Sequence, residues 1–138
     1  MDTGPLVALF DRSDSHHKIC KKTFSLVSEP LITTWPVLTE AFYMLSTSSK
    51  AQELLMHYVL SGALEIYAES TILPRMGQLM KKYDDIPMDF ADASLVALAE
   101  EILTDKIFTL DHKDFRIYKP RHSKSFLILP ENLVPHHE

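Results

Sequence analysis

A chain of 138 residues, 46% hydrophobic and 24% charged, suits one soluble globular domain able to bury roughly two-thirds of its unfolded surface. No apolar run approaches the ~18 residues of a membrane span. The N-terminus lacks the basic stretch of a signal peptide, and the lone Cys20 excludes an internal disulfide or a multi-cysteine zinc site. The net charge of −5 taken alone argues against a nucleic-acid partner, and a cytoplasmic protein without membrane contact is expected.

From the N-terminus, Asp2 or Thr3 is placed to cap a short helix carrying Pro5 and the apolar Leu6, Val7, Leu9 and Phe10. After a polar break at 11–14, with Ser13 or Asp14 as the next cap, the pattern predicts a helix over 15–27. It would bury Ile19, Cys20, Phe24, Leu26 and Val27 before Pro30 stops it. The β-branched run 31–34 predicts a buried strand, which Trp35-Pro36 breaks, and Pro36 opens a helix to about Leu45. A further helix is expected over 51–60, a period-two strand over 64–69, and a helix over 72–83. Pro87 and the acid at 89 open another helix through Glu101, made of strong helix formers. Strands are expected over 106–111, ending on an acid, and over 126–129, with one helical turn in 112–118 between them and a polar tail from about Glu131. Strands alternating with helices predict one domain over 1–138, a mostly parallel sheet covered on both faces.

Within the 87–101 helix, positions 89, 92, 96, 99 and 103 share one face. Asp92 then lies on the stripe meant for burial, where a carboxylate costs several kcal/mol, on the order of buried-charge penalties, unless compensated. Asp89 has the simpler reading of a first-turn acid favoured by the helix dipole.

In an open parallel sheet, ligands bind beyond the carboxyl ends of the strands and at the helix starts that follow. Asp2, Glu40, Asp92 and Asp111 all fall on that rim. Each alone has an ordinary reading as a cap or surface acid, and Asp114 reads as turn chemistry; the joint placement carries the case. Four carboxylates together repel and raise one another's pKa values, and a hard divalent cation, Mg²⁺ or Mn²⁺, relieves them. Such a cation suits phosphodiester hydrolysis. Of the histidines, His16-His17 and His136-His137 read as solvated, and only His112, beside Asp111, draws attention.

Charge distribution weakens the objection to nucleic acid. Lys113, Arg116, Lys119, Arg121 and Lys124 face a single acid, Asp114, and interleave with Phe115 and Tyr118. That composition is able to meet phosphates and stack bases. Setting aside the four rim acids removes most of the excess negative charge.

These residues resemble the motifs of the PIN-domain nucleases. Asp2-Thr3-Gly4-Pro5-Leu6-Val7 is similar to the first motif, and Glu40 in 34–41 to the second. Asp92 in 89–100 is similar to the third, and Thr109-Leu110-Asp111-His112-Lys113-Asp114-Phe115 to the fourth. The resemblance runs from Asp2 to about Pro130. It implies a three-layer α/β/α sandwich and a Mg²⁺- or Mn²⁺-dependent endoribonuclease, most like the VapC toxin of a toxin–antitoxin pair. The catalytic, metal-binding set it implies is Asp2, Glu40, Asp92 and Asp111, with Thr3, Asp89, Thr109 and Asp114 supporting them. It further implies an RNA substrate, a cognate antitoxin and a homodimer. The family has a strand before its first aspartate, whereas only Met1 precedes Asp2 here, so that strand is expected to be missing or truncated. A PIN-like module that binds RNA or protein without cutting is the alternative, and an acidic phosphoryl-accepting pocket is a third reading.

Overall fold

A computed structural model of the chain describes residues 1–131; the rest of the expected polar tail, with His136 and His137, lies outside them. Helix α1 (Thr3–Phe10) starts at Asp2, whose extended backbone and carboxylate make it the N-cap. Helix α2 (His17–Leu26) begins two residues later than the pattern predicts. Asp14 accepts the His16 amide at 2.8 Å and shapes the preceding turn instead of capping the helix. Leu26, expected inside, is 74% exposed. It lies six residues after the buried Cys20, about 240° round the helix, and so off the stripe that faces the interior. His17 is not simply solvated: its ring nitrogen Nδ1 lies 2.6 Å from the Ala8 carbonyl and ties α2 to α1. Burial pushes the Cys20 thiol up to about 12, which leaves it an inert core residue.

Strand β1 (Leu31–Thr34) runs directly into α3 (Trp35–Met44), with Trp35 inside the helix and Pro36 in its first turn. Helix α4 (Ser49–Leu60) is capped by Ser48, whose hydroxyl accepts the Ala51 amide. Strand β2 (Leu64–Tyr67) stops short of the predicted Glu69, and a 3-10 turn (Ser70–Ile72) leads into α5 (Leu73–Lys82). Helix α6 (Phe90–Glu101), β3 (Lys106–Phe108), α7 (His112–Phe115) and β4 (Leu127–Leu129) follow. The pattern predicts a strand through Asp111, yet β3 ends at Phe108. The Thr109 hydroxyl accepts the Asp111 amide at 3.0 Å and turns the chain into α7.

The strands form two parallel pairs. Leu31 to Thr34 of β1 face Leu64 to Tyr67 of β2, and Lys106 to Phe108 of β3 face Leu127 to Leu129 of β4. Met1-Asp2 bridges them. The Met1 ammonium donates to the Ile32 carbonyl at 2.7 Å, the Thr33 hydroxyl donates to the Met1 carbonyl at 2.7 Å, and the Asp2 amide donates to the Phe108 carbonyl at 2.8 Å. This two-residue bridge holds Asp2 against β3.

Helix α6 is more central than a one-sided stripe allows. Ala91 and every residue from Ala93 to Ala99 are buried, and α6 packs on α3, α5 and β1. Its alanines permit that close approach from several directions. Asp92 is half-buried within this setting. Leu103, predicted on the same stripe, lies beyond the helix end, 74% exposed and at φ 57°. There the Thr104 amide donates to Ala99 and the Leu103 amide to Glu100, closing the helix with a leucine where glycine is favoured.

Candidate metal centre

Capping geometry sets the acids. Asp2 is 9% exposed; one carboxylate oxygen accepts the Thr3 amide at 2.8 Å and the other the Thr109 hydroxyl at 2.7 Å. Thr3 orients Asp2 through its amide alone, because its own hydroxyl donates to the Val37 carbonyl at 3.5 Å. Burial raises the Asp2 carboxyl above its ordinary range against the pull of these donors, and the charge of Glu40 adds to the rise.

The fully buried Thr109 donates to Asp2 and accepts from the Asp111 amide, so a single hydroxyl joins the first and last acids of the set. Gly4 lets this loop lie against α1, since a Cβ there would sit 3.2 Å from the Leu110 side chain. Asp111 caps α7, its carboxylate accepting the Asp114 amide at 3.1 Å. On α6 the exposed Asp89 is the N-cap, accepting the Asp92 amide at 2.7 Å. Asp92 accepts the Tyr118 hydroxyl at 3.2 Å. Burial, and then the charges of Asp89, Asp2 and Asp111, push its carboxyl up to about 7.

One carboxylate oxygen from each of Asp92, Asp111 and Asp114 lies within 4.8 Å of the others. Opposite ligands of Mg²⁺ stand about 4.2 Å apart, so a small contraction or a bridging water makes this trio fit one hard cation. Of the four acids expected as ligands, the structure brings Asp92 and Asp111 into this trio. Asp114, expected beside the ligands, is its third member: as cap and third residue of one short turn, 111 and 114 project from the same end. Asp2 adjoins through Thr109. Glu40 is exposed on α3 and reaches the group through its effect on Asp2.

Lys113, Arg116, Lys119, Arg121 and Lys124 are all exposed. The expectation that Phe115 and Tyr118 stack bases fails, because both are fully buried and pack edge-on to each other at 5.1 Å. Arg121 is partly committed elsewhere: its guanidinium donates to Gln78 and its amide to Glu100. His112 is buried, with Nε2 unpartnered; burial and the nearby Arg116 charge lower its pKa. Tyr118, expected among the base-stacking aromatics, belongs instead to the acid site through its bond to Asp92, a role its sequence reading missed. Its place three residues after the apolar Phe115 was the available signal of an inward face.

The sequence profile of the PIN domain matches residues 1–119. Ribonuclease VapC26 of Mycobacterium tuberculosis is 26% identical over 133 residues, which span 94% of this chain and 98% of that protein. The crystal structure of the Mycobacterium tuberculosis toxin VapC20, described as cleaving the sarcin-ricin loop, superposes with a TM-score of 0.68. It does so at 18% identity over 76% of this chain and 83% of that one. No described helix is long and apolar enough to cross a membrane.

Proposed function

The chain belongs to the PIN-domain family, and from that premise we propose that it is a divalent-metal-dependent endoribonuclease acting as the toxin of a toxin–antitoxin pair. The observation that carries the reading is the trio Asp92, Asp111 and Asp114, with Asp2 joined to it through Thr109. Similarity to ribonuclease VapC26 along nearly the whole chain supports RNA as the substrate. The catalytic, metal-holding set is Asp92, Asp111 and Asp114 together with Asp2 and Glu40, for Mg²⁺ or Mn²⁺.

A bound divalent cation supplies Lewis acidity to the scissile phosphate and to attacking water. The chain's own residues prepare that chemistry. Asp89 and Asp111 hold their helix starts by capping, and Thr109 fixes Asp2 and the Asp111 backbone together. Without a cation, burial and then the neighbouring charges of Asp89, Asp2 and Asp111 push the Asp92 carboxyl up to about 7. The exposed Lys113, Lys119 and Lys124 meet the RNA backbone as point charges and Arg116, with Arg121 at the margin, through planar guanidinium forks. A VapB-type antitoxin, a homodimeric state and a cytoplasmic location complete the proposal.

The test is cleavage of RNA by purified protein with Mn²⁺ or Mg²⁺. Asp92→Asn is expected to lower the rate at least 100-fold, and EDTA to abolish it. Activity that survives both treatments refutes the assignment. RNA binding without cleavage by the metal-loaded native chain would favour the non-catalytic alternative.

A further inference from the structure

We propose that Tyr118 is a positioning residue for the metal-binding carboxylate of Asp92, fixing its rotamer and leaving one of its two oxygens free to take a cation. The inference rests on the metal-site reading above and deepens it.

Tyr118 is 0% exposed. Its ring is wedged edge-on between Tyr83 (5.1 Å, 65°) and Phe115 (5.1 Å, 84°), so it has no room to swing. Tyr83 is itself anchored, its hydroxyl accepting the Lys119 amide at 3.1 Å. From this rigid cluster the Tyr118 hydroxyl donates to Oδ2 of Asp92 at 3.2 Å. Were Asp92 to turn away, that phenolic hydroxyl would be left in the interior without its acceptor, which is costly.

The chemistry of the donor matters as much as its rigidity. Among the described residues no lysine or arginine stands within ion-pair distance of Asp92. A cationic partner would orient the carboxylate but also neutralise it, and so compete with a metal ion. A neutral phenol orients it and leaves its charge intact. The same bond occupies one of the two oxygens, which favours cation binding through the other. The backbone support for Asp92 comes from Asp89, so cap and phenol divide the work: Asp89 sets the helix start, and Tyr118 sets the side chain.

The test measures binding of Mn²⁺ alone by electron paramagnetic resonance, with no RNA present. Tyr118→Phe keeps the aromatic packing and removes the donor. It is expected to weaken Mn²⁺ binding about tenfold or more, the range typical of groups that orient metal ligands. Tyr83→Phe removes a hydroxyl from the same cluster without touching Asp92, and should leave affinity within about twofold. In an Asp92→Asn background the Tyr118→Phe change should have no further effect on any residual binding. A second measurement needs no substitution: in native chain labelled with 3-fluorotyrosine, the Tyr118 fluorine resonance should shift on Mg²⁺ saturation while that of the exposed Tyr43 stays put. Wild-type Mn²⁺ affinity in folded Tyr118→Phe, or a Tyr118 resonance unmoved by Mg²⁺, overturns the inference while leaving the metal site standing if Asp92→Asn still weakens or abolishes binding. Unimpaired binding in Asp92→Asn removes the metal-site reading and this inference with it.

Discussion

Replacing Asp92 with asparagine should stabilise the metal-free protein, and the gain should depend on pH. The Asp92 carboxyl is raised from 3.8 to about 7, first by burial and then by Asp89, Asp2 and Asp111. A carboxyl that holds its proton more tightly folded than unfolded contributes stability in full below its unfolded pKa and loses it as pH climbs through its folded pKa. A rise of about three pH units at 1.36 kcal/mol each sets a ceiling of about 4 kcal/mol lost between pH 4 and pH 8. Asp92 is only half-buried, and screening by solvent reduces the expected loss to about 2 kcal/mol. Asparagine removes the charge and keeps a carbonyl oxygen that can accept from Tyr118. Urea unfolding in EDTA should therefore find Asp92→Asn equal to the native chain at pH 4 and about 2 kcal/mol more stable at pH 8. Adding Mn²⁺ at 100 times its dissociation constant should stabilise the native chain by about 2.7 kcal/mol and the variant hardly at all, reversing the order. A variant less stable than the native chain at pH 8 in EDTA, or a difference that is flat from pH 4 to pH 8, refutes the argument from burial and neighbouring charge.

Thr109→Val should cost about 2 kcal/mol in urea unfolding, because it leaves an oxygen of the buried Asp2 and the amide of Asp111 without their shared partner, while Thr109→Ser should retain most of the stability. The same Thr109→Val protein should lose most of its RNA cleavage, measured against total RNA with Mn²⁺. Leu103→Gly should stabilise the protein by about 1 kcal/mol, read as a higher urea midpoint at unchanged slope, since Leu103 sits at φ 57° and is 74% exposed, so relief of strain outweighs lost packing. An unchanged or lowered midpoint would show that contacts made by Leu103 offset its strain.

Local chemistry makes much of this protein legible in its amino-acid sequence. Pro36, the cap at Asp2, the acid at 89 and the two hydrophobic periods place the main helices and strands, because each acts over a few residues of chain, while the caps at Ser48 and Asp89 emerge only in the structure. Asp92 stands out as a carboxylate among apolar neighbours, and Asp2, Glu40 and Asp111 as acids at the starts of elements. Four decisions were beyond that reach. Met1-Asp2 bridges two strand pairs through bonds to residues 31 and 106 positions away, and no local pattern encodes such a pairing. Leu26 faces out because only one stripe of α2 meets α1. Asp114 joins the closest carboxylate trio because the turn at Thr109 brings α7 up to the start of α6. Phe115 and Tyr118, which look like surface aromatics in a basic stretch, go inward, and Tyr118 crosses 26 residues of sequence to reach Asp92. Sequence determined which carboxylates exist and which helix starts carry them. Only tertiary packing decided which of them share a cation-sized space, because that distance depends on how separate elements meet.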